Sequence, residues 1–159
     1  MKRWCSLASV VAVVMLTAEA GAVASGEPDI ATRARGAGKV VVATARSISP
    51  QWRTNAFGDQ VIVSLVELQV EETLKGTPAT SAWLAMEGGT LGEVTLHVSS
   101  MPTMRAGERA VFFLDATNEG THVPHLKGMG ILKLDGNNNV QGSTLRLDDI
   151  RRLTRSAGQ

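Results

Sequence analysis

Apolar positions recur along this chain in short runs with a period of two, separated by Gly, Pro and Asn turns, a pattern of strands rather than helices. Lys39 to Ile48 (KVVVATARSI) opens on β-branched residues and predicts a first strand. Ser49 to Asn55 predicts a loop, and Phe57-Gly58-Asp59-Gln60 a turn. Gln60 to Leu74 predicts a long second strand. Ile62, Val66, Leu68, Val70 and Leu74 share one face, while the other begins apolar (Val61, Val63, Leu65) and turns polar (Glu67, Gln69, Glu71). Such a strand is expected to be buried on both faces first and on one face later. A helix is the competing reading, since Val61, Leu65 and Leu68 also share a helical face; the density of Val, Ile and Thr favours strand. A strand this long bends or carries a bulge.

Lys75-Gly76-Thr77-Pro78 predicts a turn, and Ala82 to Glu87 a strand that places Trp83 in the core and ends at Gly88-Gly89. Gly92 to Ser99 alternates as a further strand, and Pro102 and Gly107 frame a loop before Glu108 to Asp115, a strongly hydrophobic strand. Gly130 to Asp135 and Val140 onward predict a hairpin across Gly136 to Asn139. Only the end reads as helix: Leu147, Ile150 and Leu153 recur in steps of three, with acids at the start and arginines toward the finish. The expected fold is mainly β, a small antiparallel OB-like β-barrel or sandwich with a short C-terminal helix.

The N-terminus follows a different rule. Met1-Lys2-Arg3 is basic, Trp4 to Leu16 is an apolar run, and Ala18-Glu19-Ala20 and Ala22-Val23-Ala24 are small-residue cleavage patterns. Residues 1–24 therefore read as a signal peptide, 25–38 as a polar flexible leader and 39–159 as a single domain. Export to the periplasm or outside the cell is expected, with no transmembrane segment in the mature chain. Cleavage removes Cys5, the one cysteine, so disulfides, thiolate metal sites and cysteine nucleophiles go with it. It also removes Lys2, Arg3 and Glu19, leaving 14 basic and 14 acidic residues, a balance unsuited to nucleic acid. Six acids and one lysine lie between Asp59 and Glu93, against eight bases and six acids from Arg105 to Arg155. That asymmetry reads either as opposed acidic and basic faces or as a solvated surface.

A set of landmarks carries a resemblance: Leu74-Lys75-Gly76 closing a strand, Gly88-Gly89 then Gly92, Pro102, and Gly107-Glu108 leading into Phe112-Phe113-Leu114. In this pattern the chain resembles a group of small exported bacterial β-barrel (OB-like) domains of unassigned function. The resemblance implies the fold and the export, and brings no activity. Tissue metalloprotease inhibitors use a similar barrel, but their inhibitory edge depends on an N-terminal cysteine that is missing here.

Candidate chemistry is sparse. His122 and His125, spaced around Val123-Pro124, could open a zinc or copper site; Pro124 prevents a helical ligand face, and no third ligand lies nearby in sequence. His97 is expected on a strand surface. Asp135-Gly136-Asn137-Asn138-Asn139 has oxygens at calcium-loop positions one, three and five, but Val140 and Arg146 occupy positions that need Gly and Glu, so a hairpin turn is expected. No serine lies in a nucleophile elbow. Trp52 and Phe57, flanking a polar loop, read either as aromatics folded back over the barrel end, the commoner arrangement, or, together with the corner Gly88, Gly89 and Gly92, as contact residues for an unknown protein or small ligand of the cell envelope. No cofactor is expected, and a binding module without catalysis is the leading expectation. The alternatives are a metal-binding or hydrolytic module centred on His122 and His125, and an inhibitor of an exported protease.

Overall fold

In the computed structural model the described residues are 29–158. The expected signal peptide, Cys5 and both cleavage patterns lie outside them. Residues 29–38 had been expected as part of a flexible leader. They instead begin the domain, as a helix, α1 (Ile30–Gly36), followed by a short link. Asp29 caps it by accepting the Thr32 N–H at 2.7 Å, and Ile30, Ala34 and Ala37 are buried. Their spacing is a helical stripe, which a short, Gly-rich, polar segment hides from a composition reading.

Eight strands follow: β1 (Lys39–Thr54), β2 (Gln60–Lys75), β3 (Ser81–Glu87), β4 (Gly89–Leu91), β5 (Val94–Leu96), β6 (Arg109–Ala116), β7 (His122–Pro124) and β8 (Ile131–Lys133), closed by helix α2 (Leu147–Ala157). Antiparallel pairings join β1 to β2, β2 to β3, β7 to β6, and β6 back to β1. The remaining link, β3 to β7, is parallel and rests on one pair, Leu84 with His122. The result is a partly open, OB-like barrel rather than a fully closed one. β8 extends the sheet from β6.

Two predicted boundaries shift. β1 runs through the expected loop to Thr54, pairing Pro50 with Ser64 and Trp52 with Ile62. β6 covers β1 only over Lys39–Thr44, so the rest of β1 is an edge, where proline is tolerated. The expected Gly92–Ser99 strand shortens to β5, which folds back on β4 as a separate hairpin because Gly92 turns the chain at φ +61°.

Long strands need a way to bend, and β1 supplies it with register shifts at Val40/Val41, Val42/Ala43 and Ala45/Ser47. The bends let its first half serve two cores. Val41, Ala43 and Ala45 face the barrel interior with Val66, Leu68, Leu84, Phe112 and Leu114. Val40 and Val42 join Val111 and Phe113 beneath α1 and α2, where Ile30, Ala34, Leu147 and Ile150 complete a second layer. Burial on both faces explains why β1 and β6 read as continuous hydrophobic runs.

Candidate functional site

β2 separates its faces cleanly. Ile62, Ser64, Val66 and Leu68 are buried, while Val61, Val63, Leu65 and Glu67 are half-buried on the outer face. This corrects the expectation that the first part of the strand would be covered on both sides. Val63 and Leu65 are only partly covered and line a surface groove. Ala85 of β3 lies opposite Leu65, and Val123 of β7 follows across the seam. These four side chains floor a groove of about 380 Å³. Arg53 of β1 and Glu119 of the β6–β7 loop wall it, joined at 3.4 Å. Trp83, expected in the core, stands on this outer face opposite Glu67 and is 45% exposed. Its place follows from alternation: its neighbours Ala82 and Leu84 point inward.

Beyond the groove, β1 and β2 project as an arm ending in Asn55–Asp59. The Asn55 carboxamide oxygen accepts the Phe57 and Asp59 N–H groups, each at 2.9 Å, and fixes the turn. Phe57 stands at its tip, 91% exposed, rather than folded back over the barrel. Trp52, 48% exposed, lies opposite Ile62 on the inner face of the arm. Gly88 donates its N–H to Ile62 O at 2.8 Å, and Ile62 Cγ2 would touch a Cβ on Gly89. Trp52, Gly88 and Gly89 thus share Ile62 as a neighbour. Phe57 and Gly92 sit apart from them, at the tips of two different hairpins.

The two histidines are held by different partners and do not converge. His122 Nδ1 lies 3.3 Å from Trp83 O. His125 Nδ1 lies 2.8 Å from Asp115 Oδ2, and its Nε2 faces Gly36 so closely that a Cβ there would come within 2.5 Å. That packing fastens β7 to the end of α1. Among the described residues no three His, Cys, Asp or Glu side chains are grouped to hold a metal ion. The Asp135 carboxylate turns into its own loop, accepting the Asn137 and Asn139 N–H groups at 2.8 Å and the Asn139 amide at 3.0 Å. Those bonds, the Asn139 backbone N–H foremost, hold its carboxyl below the usual value.

Under β4 and β5 lies a second cleft, of about 230 Å³, against the inner face of β1, β2 and β3. Met86, Met101, Met104 and His97 border it, with Gly88 and Gly89 at its wall. Sequence reasoning named the glycines and His97 but passed over the methionines, which lie 15 and 3 residues apart and converge only in space. The groove floor did have a signal, the apolar outer positions of β2.

The chain matches no protein-family model, and no curated protein sequence matches it.

Proposed function

We propose that the chain is an exported, non-catalytic binding module that holds a protein partner of the cell envelope along its β1–β2 arm. Phe57 is the anchor, and the groove over Val63, Leu65, Ala85 and Val123 is the bed. The observation that carries this reading is a large aromatic side chain 91% exposed at the tip of a turn locked by Asn55. A rigid, unpartnered aromatic loses little entropy on contact, and such residues dominate interface energetics. Arg53 and Glu119 add a polar wall beside the apolar floor, the anatomy of a protein contact. An exported protease is one such partner. The reading centred on His122 and His125 draws no support from the geometry, since each ring is held by a separate neighbour.

A photoreactive amino acid at position 57 tests the reading in intact cells, with the same group at exposed Arg155 on α2 as the comparison. Discrete adducts are expected at 57 and not at 155. Identical patterns at both positions would refute the arm as the contact. Phe57→Ala is expected to leave the melting temperature unchanged and to weaken partner capture tenfold or more.

A further inference from the structure

Three of the four methionines in the described chain, Met86, Met101 and Met104, border one cleft, and His97 stands at its rim. Met86 comes from β3 and is 3% exposed; Met101 is 9% exposed; Met104 is half-buried. The loop that carries Met101 and Met104 is tied down by the Met101 N–H to Val98 O bond at 3.0 Å and the Gly128 N–H to Ser100 O bond at 2.9 Å. Methionine is the side chain that adapts its three torsions to fill irregular gaps. Here three of them surround about 230 Å³ that they leave open. Met86 and Met101 belong to the barrel core and Met104 packs against it, yet all three also line this open space.

Thioether sulfur is a soft, uncharged donor. It binds monovalent d10 ions and competes poorly for zinc, calcium or magnesium, which prefer thiolate, imidazole or oxygen. With thiols absent from the described chain, a thioether set with one imidazole is the soft ligand group it offers. We propose that the cleft is a binding site for a soft monovalent cation of the copper(I) or silver(I) kind, with Met86, Met101 and Met104 as sulfur donors and His97 Nε2 or Nδ1 completing the set. Thioethers carry no proton to displace, so the share of the affinity that they supply does not depend on pH. The site is independent of the Phe57 arm, and each proposal can fail without the other.

The decisive probe is silver(I) added to the signal-cleaved chain, which has lost Cys5, carrying ¹³C-methyl methionine, followed by NMR. The methyl signals of Met86, Met101 and Met104 are expected to shift with saturation at one equivalent, while Met129, outside the cleft, stays in place. Unmoved signals, or Met129 shifting as much as the others, would overturn the proposal. So would shifts of the same three methyls with benzene but not with silver(I), because the cleft would then be an apolar pocket. Competition against a chromophoric copper(I) chelator under ascorbate gives the second reading. His97→Ala, at an exposed position, is expected to weaken copper(I) binding about tenfold with an unchanged melt. Met101→Leu with Met104→Leu, which conserves volume, is expected to weaken it a hundredfold or more. Wild-type affinity in both variants would place the metal elsewhere and refute the site.

Discussion

Lys75 shows how one side chain fixes an element far from it in sequence. Its ammonium donates to Ala34 O at 2.7 Å, Arg35 O at 3.0 Å and Ala37 O at 2.7 Å, three carbonyls at the end of α1. Those carbonyls have no partner within the helix, and a cation there also meets the negative end of the helix dipole. Lys75→Met keeps the stem and removes the donors. The expected loss is about 1.5–3 kcal/mol, read as a lower urea midpoint. Hydrogen exchange at residues 30–36 should speed up more than exchange in β2. Gly89 is a second such point. It sits at φ +137°, and a Cβ there would overlap Ser64 Oγ, which donates to Gly88 O at 2.7 Å. Gly89→Ala is therefore expected to cost about 2–4 kcal/mol through strain and the lost bond. Gly92→Ala, with open space around the same sign of φ, should cost about 1 kcal/mol.

At the level of elements, carboxylates sit at the ends and turns. Asp29 caps α1 and is held below its ordinary value chiefly by the Thr32 N–H. Asp149 accepts the Arg146 N–H at 3.1 Å at the start of α2, and that bond lowers it. Partial burial works against the Glu108 carboxylate, yet the Lys133 ammonium at 2.8 Å and the Arg105 N–H together outweigh it and hold the group low. A carboxyl depressed in the folded state takes up its proton sooner in the unfolded chain. The stabilisation is thus full above the ordinary range of 3.8 to 4.5 and is lost as the pH falls through the lowered values. Thermal melts followed by circular dichroism should be level from about pH 7 to 5 and decline below about pH 4. Glu108→Gln should lower the neutral-pH melt and make the acid decline shallower; an unchanged acid slope would show that Glu108 takes no part.

The elements were largely legible because their patterning is local. The alternation in β2 and β3, the hydrophobic run of β6 and the three-residue steps of α2 depend only on neighbouring residues. What was missed is decided at a distance. α1 is stabilised by Lys75 and by a second core layer that includes Val111, Phe113, Leu147 and Ile150, all distant from it in sequence. β1 continues through Ser49 to Thr54 because β2 pairs with it, overriding the turn propensity of Ser-Pro. Phe57 and Trp52 could be named as loop aromatics, though not as exposed ones, whereas the groove needs β7 beside β3, a contact across 38 residues.

Across the whole molecule, part of the uneven charge of the sequence is met by ion pairs. Glu71 meets Arg109 at 2.6 Å, Glu72 meets Arg151 at 2.6 Å, and Glu108 meets Lys133 at 2.8 Å. Glu71 and Glu72 of β2 are thus matched by bases from β6 and α2. These pairs are partly exposed and contribute little each; closure of the barrel depends on its seams. Four of the five seams are antiparallel ladders of three pairs or more, and the fifth is the single Leu84–His122 pair. Opening should begin there, and amides of β7 and β3 should exchange with deuterium faster than those of β1 and β6. The groove floor straddles this seam, with Ala85 on one side and Val123 on the other. A partner seated in the groove would bridge the two strands and restrain the opening. Exchange in Ser81–Glu87 and His122–Pro124 should therefore slow when the partner captured through position 57 is added, while the Lys39–Thr44 part of β1, paired with β6 and away from the arm, is unaffected. Equal slowing everywhere would indicate general stabilisation instead, and no slowing at the seam would separate the arm from the groove as a contact surface.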